Sequence, residues 1–434
     1  MAHRRVVITG LGIIAPNGIG KDEFWRNLIA GKSAVSRVFA FDASSFPCQV
    51  AAEVRDFSPA DFITPRTAKG MARFTQFAVA ASRLALDDAG LHITAQNSEN
   101  VGIAYGTALA GVGDVACEIF RSFGAYRVEG IAPECVIECA PHLAASHIAA
   151  EFKIYGPAMT VSTNCCTGLD ALYAASSLIR AGKAAAMLAG GADAPIFPET
   201  FAAFCAVGAL TRNGASRPYD KRHDGIVLGE GGATVVLEDL ESALARGAHI
   251  YAEVLGHGTA NDAGSARRQV TGKATALAIG TALREAEMSP DDIDHINAHG
   301  CGIPQSDICD TNAFKRMFGR RAYDMPITSI KSMIGQPLAA AGVLQTAAAC
   351  LSMRDQLVPP TINLAERDEH CDLDYVANNT RAVAVSRVLI NSQGAGGSHS
   401  ALIIGPSTRY GMATDRRTSR AAGGDPPRKE RASN

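Results

Sequence analysis

The sequence has almost no excess charge of either sign: 41 Lys+Arg stand against 43 Asp+Glu, a formal net charge of −2. Such a balance creates no global field to hold nucleic acid or an anionic membrane, so neither is expected as a partner. Long apolar runs are also missing. The longest tract, 338–353, is mostly alanine and is interrupted by Gln345 and Thr346, which suits a helix packed inside protein rather than one spanning lipid. Arginines precede the first apolar stretch in MAHRRVVITGLGIIAPNGIG, as in a signal peptide. That stretch, however, is short, Val/Ile-rich and closed by Pro16-Asn17, so a buried first strand is expected instead.

Other absences narrow the chemistry. The 11 cysteines contain no C-x-x-C, no His/Cys cluster has zinc-ligand spacing, and Cys165 and Cys166 are adjacent, which disfavours a simple bridge. No metal and no disulfide framework are expected; reduced thiols point to the cytoplasm. The glycine-rich stretch 106–113 lacks both the Lys-Ser/Thr of a phosphate loop and G-x-G-x-x-G spacing, so no nucleotide is expected.

What is present is enough for a large core: 434 residues, 47% apolar and 19% charged, with 42 glycines for tight turns. Length alone allows roughly three domains, two fused halves or one large unit. Short Val/Ile/Ala runs such as NVGIAYGT, AAMLAGGAD, GATVVLEDL and ALIIG alternate with Ala-rich helical stretches, and runs apolar on both faces fit sheets covered by helices: an α/β protein. Helices are expected over 74–89, with Gly90 as the stop, and over 271–287. A strand ending in a small-residue turn near Gly10 has a counterpart near Gly256, and a similar helix follows each. Two related halves are therefore expected, 1–250 and 251–406, with a site between them. From Ser407 the chain has no Leu, Ile, Val or Phe, and 407–434 reads as a disordered basic tail, a solvated terminus in preference to a docking arm.

The chemistry concentrates in VSTNCCTGLDALYAASSLIRAG. It begins as a strand, turns at Thr163-Asn164-Cys165 and continues as a helix with Leu169, Leu172, Tyr173, Ser176 and Ile179 at helical spacing. A cysteine at a helix N-terminus is stabilised as thiolate by the dipole and free N–H groups, as a nucleophile requires.

Here the sequence resembles the β-ketoacyl-(acyl carrier protein) synthases, enzymes of the thiolase fold. The resemblance extends through RRVVITGLGIIAP, SRPYDKRHDGIVLGEGG, HINAHGCGIPQSD, SIKSMIGQPLAAAG and INSQGAGGSH, and so covers the chain to about residue 406. The wording is similar to ketosynthase α subunits of type II polyketide systems and to the elongating synthases of fatty acid synthesis. It implies two pseudo-repeated halves in a five-layered αβαβα arrangement, a dimer whose interface includes the strand near 158–162, and an acyl carrier protein as partner. The second chain is identical or a ketosynthase-like partner. No cofactor is implied beyond the carrier's phosphopantetheine.

Carried over residue by residue, the resemblance makes Cys165, not Cys166, the acylated nucleophile. The oxyanion hole is then formed by the N–H of Cys165 and that of Ala395 in the turn Gly394-Ala395-Gly396-Gly397, which by itself reads as a tight loop. His299 falls on the first family histidine. The second histidine is replaced by Gln336, which donates a hydrogen bond but cannot exchange a proton near neutral pH. Losing one well-placed donor altogether costs about 3 kcal/mol of barrier, and an amide that keeps the donor costs less. Cys301 and Ile303 replace the hydroxyl residues that hold pantetheine, and Gln393 and Ala395 replace two aromatics beside the acyl pocket. Lys331 with Asp310 is expected as a supporting ion pair, with Asp307 nearby. The expected activity is acyl transfer to Cys165 followed by decarboxylative Claisen condensation with a malonyl-type extender, in specialised polyketide or fatty-acid-like synthesis. Two alternatives stay open: a non-decarboxylating acyltransferase or C–C, C–O or C–N bond former on the same cysteine, and a non-catalytic partner subunit, against which the intact Cys165 argues.

Overall fold

The structure, a computed structural model, describes residues 4–123, 137–263 and 270–407. Apart from Ser407, the expected disordered tail lies outside the described residues.

Five strands form the first half of the large sheet's main path: β1 (Val6–Ala15), β2 (Val101–Gly106), β3 (Ala158–Val161), β4 (Ala186–Asp193) and β5 (Gly231–Asp239). Five more build the second: β6 (Ala252–Asn261), β7 (His295–Asn297), β8 (Ile327–Thr328), β9 (Val388–Gln393) and β10 (Ser398–Gly405). Their spatial orders are β1-β5-β4-β2-β3 and β6-β10-β9-β7-β8. Numbered within its half, each runs first, fifth, fourth, second, third. The pairing directions repeat as well: the fifth strand is antiparallel to both its neighbours, and the other two pairs are parallel. Val7 with Glu253 and Ile8 with Ala252 join the two halves into one sheet through β1 and β6. Between the parallel strands run the helical crossovers that such pairing requires.

Helices α1 (Arg73–Ala89) and α2 (Leu143–Phe152) cover the outer face of the first half, and α4 (Lys273–Glu285) and α5 (Pro304–Phe318) that of the second. Between the two halves of the sheet lie α3 (Thr167–Arg180) and α6 (Ala340–Asp355). Leu169, Leu172 and Ile179 of α3 and Val343, Leu344 and Leu351 of α6 share one core with strand residues from both halves. The layers are therefore α, β, α, β, α. Strand alternation sorts side chains between them: Val388 and Ile390 face the central core while Leu389 faces the outer one. All thirteen leading residues of α6, through Ser352, are buried, which accounts for the alanine-rich composition of 338–353. Among the described residues no helix is long and apolar enough to cross a membrane.

One local expectation is corrected. Gly10 and Gly256 do not end their strands; both sit inside, followed by Gly12 and Gly258. A Cβ on Gly10 or Gly12 would lie 2.3 or 1.8 Å from the carbonyl oxygens of Ala85 and Ala81 on α1. On Gly256 or Gly258 it would lie 2.2 Å from those of Ala282 and Ala278 on α4. The two G-x-G pairs thus permit close strand-to-helix packing, and they repeat because the halves do.

Candidate active site

The nucleophile segment leaves the sheet at β3 and enters α3 through a short 3-10 turn, Asn164–Cys166, so Cys165 stands just before the α-helix rather than in its first turn. Thr163 anchors this corner: its N–H donates to Thr167 Oγ1 at 2.8 Å, and its hydroxyl donates to Asp170. Asp170 also accepts from Ser400 and faces His257, both on the second half. The two adjacent thiols differ in setting. Cys166 is fully buried with its thiol toward the carbonyls of Ser392 and Ser398, and burial pushes its pKa well above the usual thiol range. Cys165 retains 7% exposure.

Strand β9 joins Cys165 to His299. Ser392 Oγ donates to the Cys165 carbonyl at 2.7 Å. On either side of it, Asn391 Oδ1 accepts from His299 N–H at 3.0 Å and Gln393 N–H donates to His299 Nδ1 at 3.2 Å. Because Nδ1 accepts, the neutral imidazole carries its proton on Nε2, which makes that atom a hydrogen-bond donor.

The loop after β7 is held from below by two carboxylates on α5. Asp310 accepts from Gly300 N–H at 2.9 Å, Tyr219 Oη at 3.0 Å and Asn391 Nδ2 at 2.8 Å. Asp307 accepts from the N–H groups of Cys301 and Gly302 at 3.1 and 3.2 Å and meets His223 Nδ1 at 2.8 Å. Burial raises the Asp310 carboxyl pKa against these donors. Lys331 does not pair with Asp310 as expected: its Nζ donates to the His299 carbonyl at 2.7 Å and to Gln345 Oε1 at 3.2 Å. The two residues brace the His299 loop separately. Both acceptors of the buried ammonium are neutral, and desolvation draws its pKa down to about 8.

Gln393 is also placed differently from the expectation that it borders substrate. It is buried, accepting from Ser306 Oγ at 3.1 Å and donating to Asp310 and to the Ser306 carbonyl. Cys301 is 2% exposed in an apolar cluster with Cys48, Phe201 and Leu228, and half-buried Ile303 packs on that cluster. Gln336 lies beside Leu228, its N–H donating to Val227 O at 2.8 Å and its carbonyl accepting from Gly229 N–H at 3.1 Å. Its side chain is buried, and Oε1 has no hydrogen-bond partner among the described residues. The first turns of α3 and α6 abut, since a Cβ on Gly168 would lie 2.7 Å from Ala339 O; this brings Gln336, three residues upstream, to the same end of the central layer.

The fourth feature is the turn after β9. Ala395 N–H and Cys165 N–H both donate to one oxygen, Asn164 Oδ1, at 3.3 and 2.9 Å, and Cys165 Sγ is 3.1 Å from the same atom. Two backbone donors from different halves therefore converge on a point beside the sulfur. Sequence reasoning placed those donors but missed what occupies the point; the available signal was a polar amide immediately before the cysteine in a turn. It also missed Asn391, Ser392 and Gln345, whose roles depend on strand and helix packing.

Comparison with known proteins gives matches over most of the chain. The family model "Beta-ketoacyl synthase, N-terminal domain" matches residues 3–243, and "Beta-ketoacyl synthase, C-terminal domain" matches residues 251–365. The chain is 40% identical over 415 residues to 3-oxoacyl-(acyl-carrier-protein) synthase 2 of Coxiella burnetii, covering 93% of this chain and 99% of that one. It is 43% identical over 415 residues to the tetracenomycin polyketide synthase ketoacyl synthase alpha subunit of Streptomyces glaucescens, covering 93% and 97%. Among solved structures, the ishigamide ketosynthase/chain length factor superposes with a TM-score of 0.88 at 36% identity, covering 94% of this chain and all of that one.

Proposed function

The chain belongs to the β-ketoacyl synthase family, a ketosynthase-type condensing enzyme of fatty acid or type II polyketide synthesis, and from that premise we propose that Cys165 is the acylated nucleophile. In the proposed first half-reaction, Cys165 thiolate attacks the thioester carbonyl of an acyl group presented on the phosphopantetheine of a carrier protein. The new C–S bond forms, the carbonyl electrons move to oxygen, and the N–H groups of Cys165 and Ala395 hold that oxyanion. Its collapse breaks the carrier's C–S bond, and the departing thiolate takes a proton. In the second, the C–C bond to the malonyl carboxylate breaks, carbon dioxide leaves, and the electron pair becomes an enolate. Its carbon attacks the acyl carbonyl on Cys165, and Cys165 thiolate departs.

His299 Nε2–H and the Gln336 amide are the donors assigned to the enolate oxygen. The imidazole also has a second protonation state to offer; the amide has none, so electrostatic stabilisation survives at position 336 while proton exchange does not. Lys331 and Asp310 are assigned to positioning: through the His299 carbonyl and the Gly300 N–H they fix the loop that aims the ring. With Cys301 and Ile303 in place of hydroxyl residues, the pantetheine arm is assigned to packing rather than to hydrogen bonds at these positions.

The observation that carries this reading is the convergence of the Cys165 and Ala395 N–H groups on a single oxygen at 2.9 and 3.3 Å, beside Sγ. An acyl-carrier-protein thioester should leave an acyl mass on the protein that is missing in Cys165→Ala. Release of labelled carbon dioxide from a malonyl carrier protein tests the second half-reaction. The orphaned Oε1 of Gln336 favours one alternative, acyl transfer without decarboxylation, in which that oxygen accepts from a substrate O–H or N–H; acylation without labelled gas would select it.

The proposal extends to assembly. Strand β3 ends the sheet order with one edge unpaired among the described residues, and it is more exposed than β2, the one strand beside it. A second chain, identical or ketosynthase-like, is assigned to that edge, adjoining the nucleophile turn.

A further inference from the structure

Residue 164 lies between the strand that delivers the nucleophile and the nucleophile itself. Its backbone is left-handed, with φ of 58°. Asparagine is one of the few residues besides glycine that adopts this region readily. From there its side chain folds over the turn, and Oδ1 meets three groups at once: Cys165 N–H, Ala395 N–H and Cys165 Sγ. Both N–H groups need an acceptor, so the amide oxygen, not its nitrogen, must face them. A carbonyl oxygen at this point is where an acyl thioester has to put its own for the sulfur to reach the carbonyl carbon.

We propose that Asn164 is a resident gate of the oxyanion hole: its carboxamide oxygen fills the hole in the free protein as an internal mimic of the thioester carbonyl, and an acyl donor must displace it before Cys165 can react. The inference rests on the assignment of Cys165 and Ala395 to acylation. Two consequences follow from the geometry. First, the apparent affinity for any thioester is reduced by the fraction of molecules whose hole is open. A donor with binding energy remote from the thioester, as on a carrier protein, can reach saturation in spite of that cost, whereas a weakly binding small thioester does not. Second, an S–H···O bond to Oδ1 favours the thiol over the thiolate, so swinging Asn164 out also readies the sulfur. The gate thus weighs on donors that bind too weakly to saturate the protein, small free thioesters among them.

Single-turnover acylation of the full chain, followed by intact mass, tests this with hexanoyl-N-acetylcysteamine and with hexanoyl carrier protein. Asn164→Gly keeps the left-handed backbone and removes the side chain. It should acylate about tenfold faster with the small thioester below saturation, through a lower half-saturation concentration, and change by less than about threefold with saturating carrier-bound donor. Its iodoacetamide alkylation profile should move to lower pH, a shift that a purely structural asparagine would not produce. Asn164→Asp keeps an oxygen in the hole and adds charge, and should slow both donors by about tenfold. A folded Asn164→Gly protein that is unchanged or slower with the small thioester overturns the gate. A wild-type protein that neither donor acylates overturns the underlying assignment of Cys165 instead.

Discussion

In the proposed mechanism Gln336 keeps a donor where a titratable ring is expected. Gln336→Ala removes the donor and should lower labelled carbon dioxide release by about a hundredfold, while Cys165 acylation changes far less. An equal loss in both half-reactions would place Gln336 in acylation instead. Lys331 gives a second test at this scale. Burial lowers its pKa from 10.5 to about 8, so between those values the folded protein has released a proton that the unfolded chain still holds. Stability contributed through Lys331 therefore rises with pH across that window, and the cost of burying the charge is full below about 8. Thermal denaturation of wild type and Lys331→Met from about pH 7 to 10 should show the difference moving in favour of wild type; a constant difference would contradict the assignment. Motifs named residues here, but contacts were not legible from them. Sequence position put Lys331 and Asp310 together, yet one side chain reaches up to the His299 carbonyl and the other to the Gly300 N–H.

At the scale of elements, periodicity located the helices. The one expected over 74–89 is α1, Arg73–Ala89, ended by left-handed Gly90, and the one over 271–287 is α4, Lys273–Glu285. Gly10 and Gly256 were misread, because glycine marks turns and close approaches alike, and only the neighbouring helix distinguishes them. Gly12→Ala should consequently cost about 1–3 kcal/mol by overpacking against Ala81 on α1, with Gly258→Ala behaving similarly against Ala278 on α4. Gly208 has open space where a Cβ would stand, so Gly208→Ala meets only its backbone strain at φ of 68° and should cost less. Chemical denaturation of the three variants gives the ranking; equal costs would deny the close packing.

At the scale of the whole molecule, the near-zero net charge first served to exclude a nucleic-acid partner, and a carrier protein needs only a local complementary patch. The repeat of strand order and direction explains why Cys165 comes from one half and His299 and Gln336 from the other: the central helices α3 and α6 bring the two halves' equivalent ends together. That meeting was legible in outline from the echo between the segments near Gly10 and Gly256 and the similar helix after each, whereas the bracket formed by Asn391, Ser392 and Gln393 was not, since it depends on which face β9 turns to each loop. The edge of β3, unpaired among the described residues, predicts a dimer on size-exclusion chromatography with light scattering, alone or with a ketosynthase-like chain; a monomer at all concentrations, also with such a chain present, would contradict it. The central claim is tested most directly by intact-mass analysis after exposure to an acyl-carrier-protein thioester. Wild type and Cys166→Ala should each gain one acyl mass, and Cys165→Ala should gain none; an adduct that survives in Cys165→Ala, or its absence from wild type, would contradict the assignment of Cys165 as nucleophile.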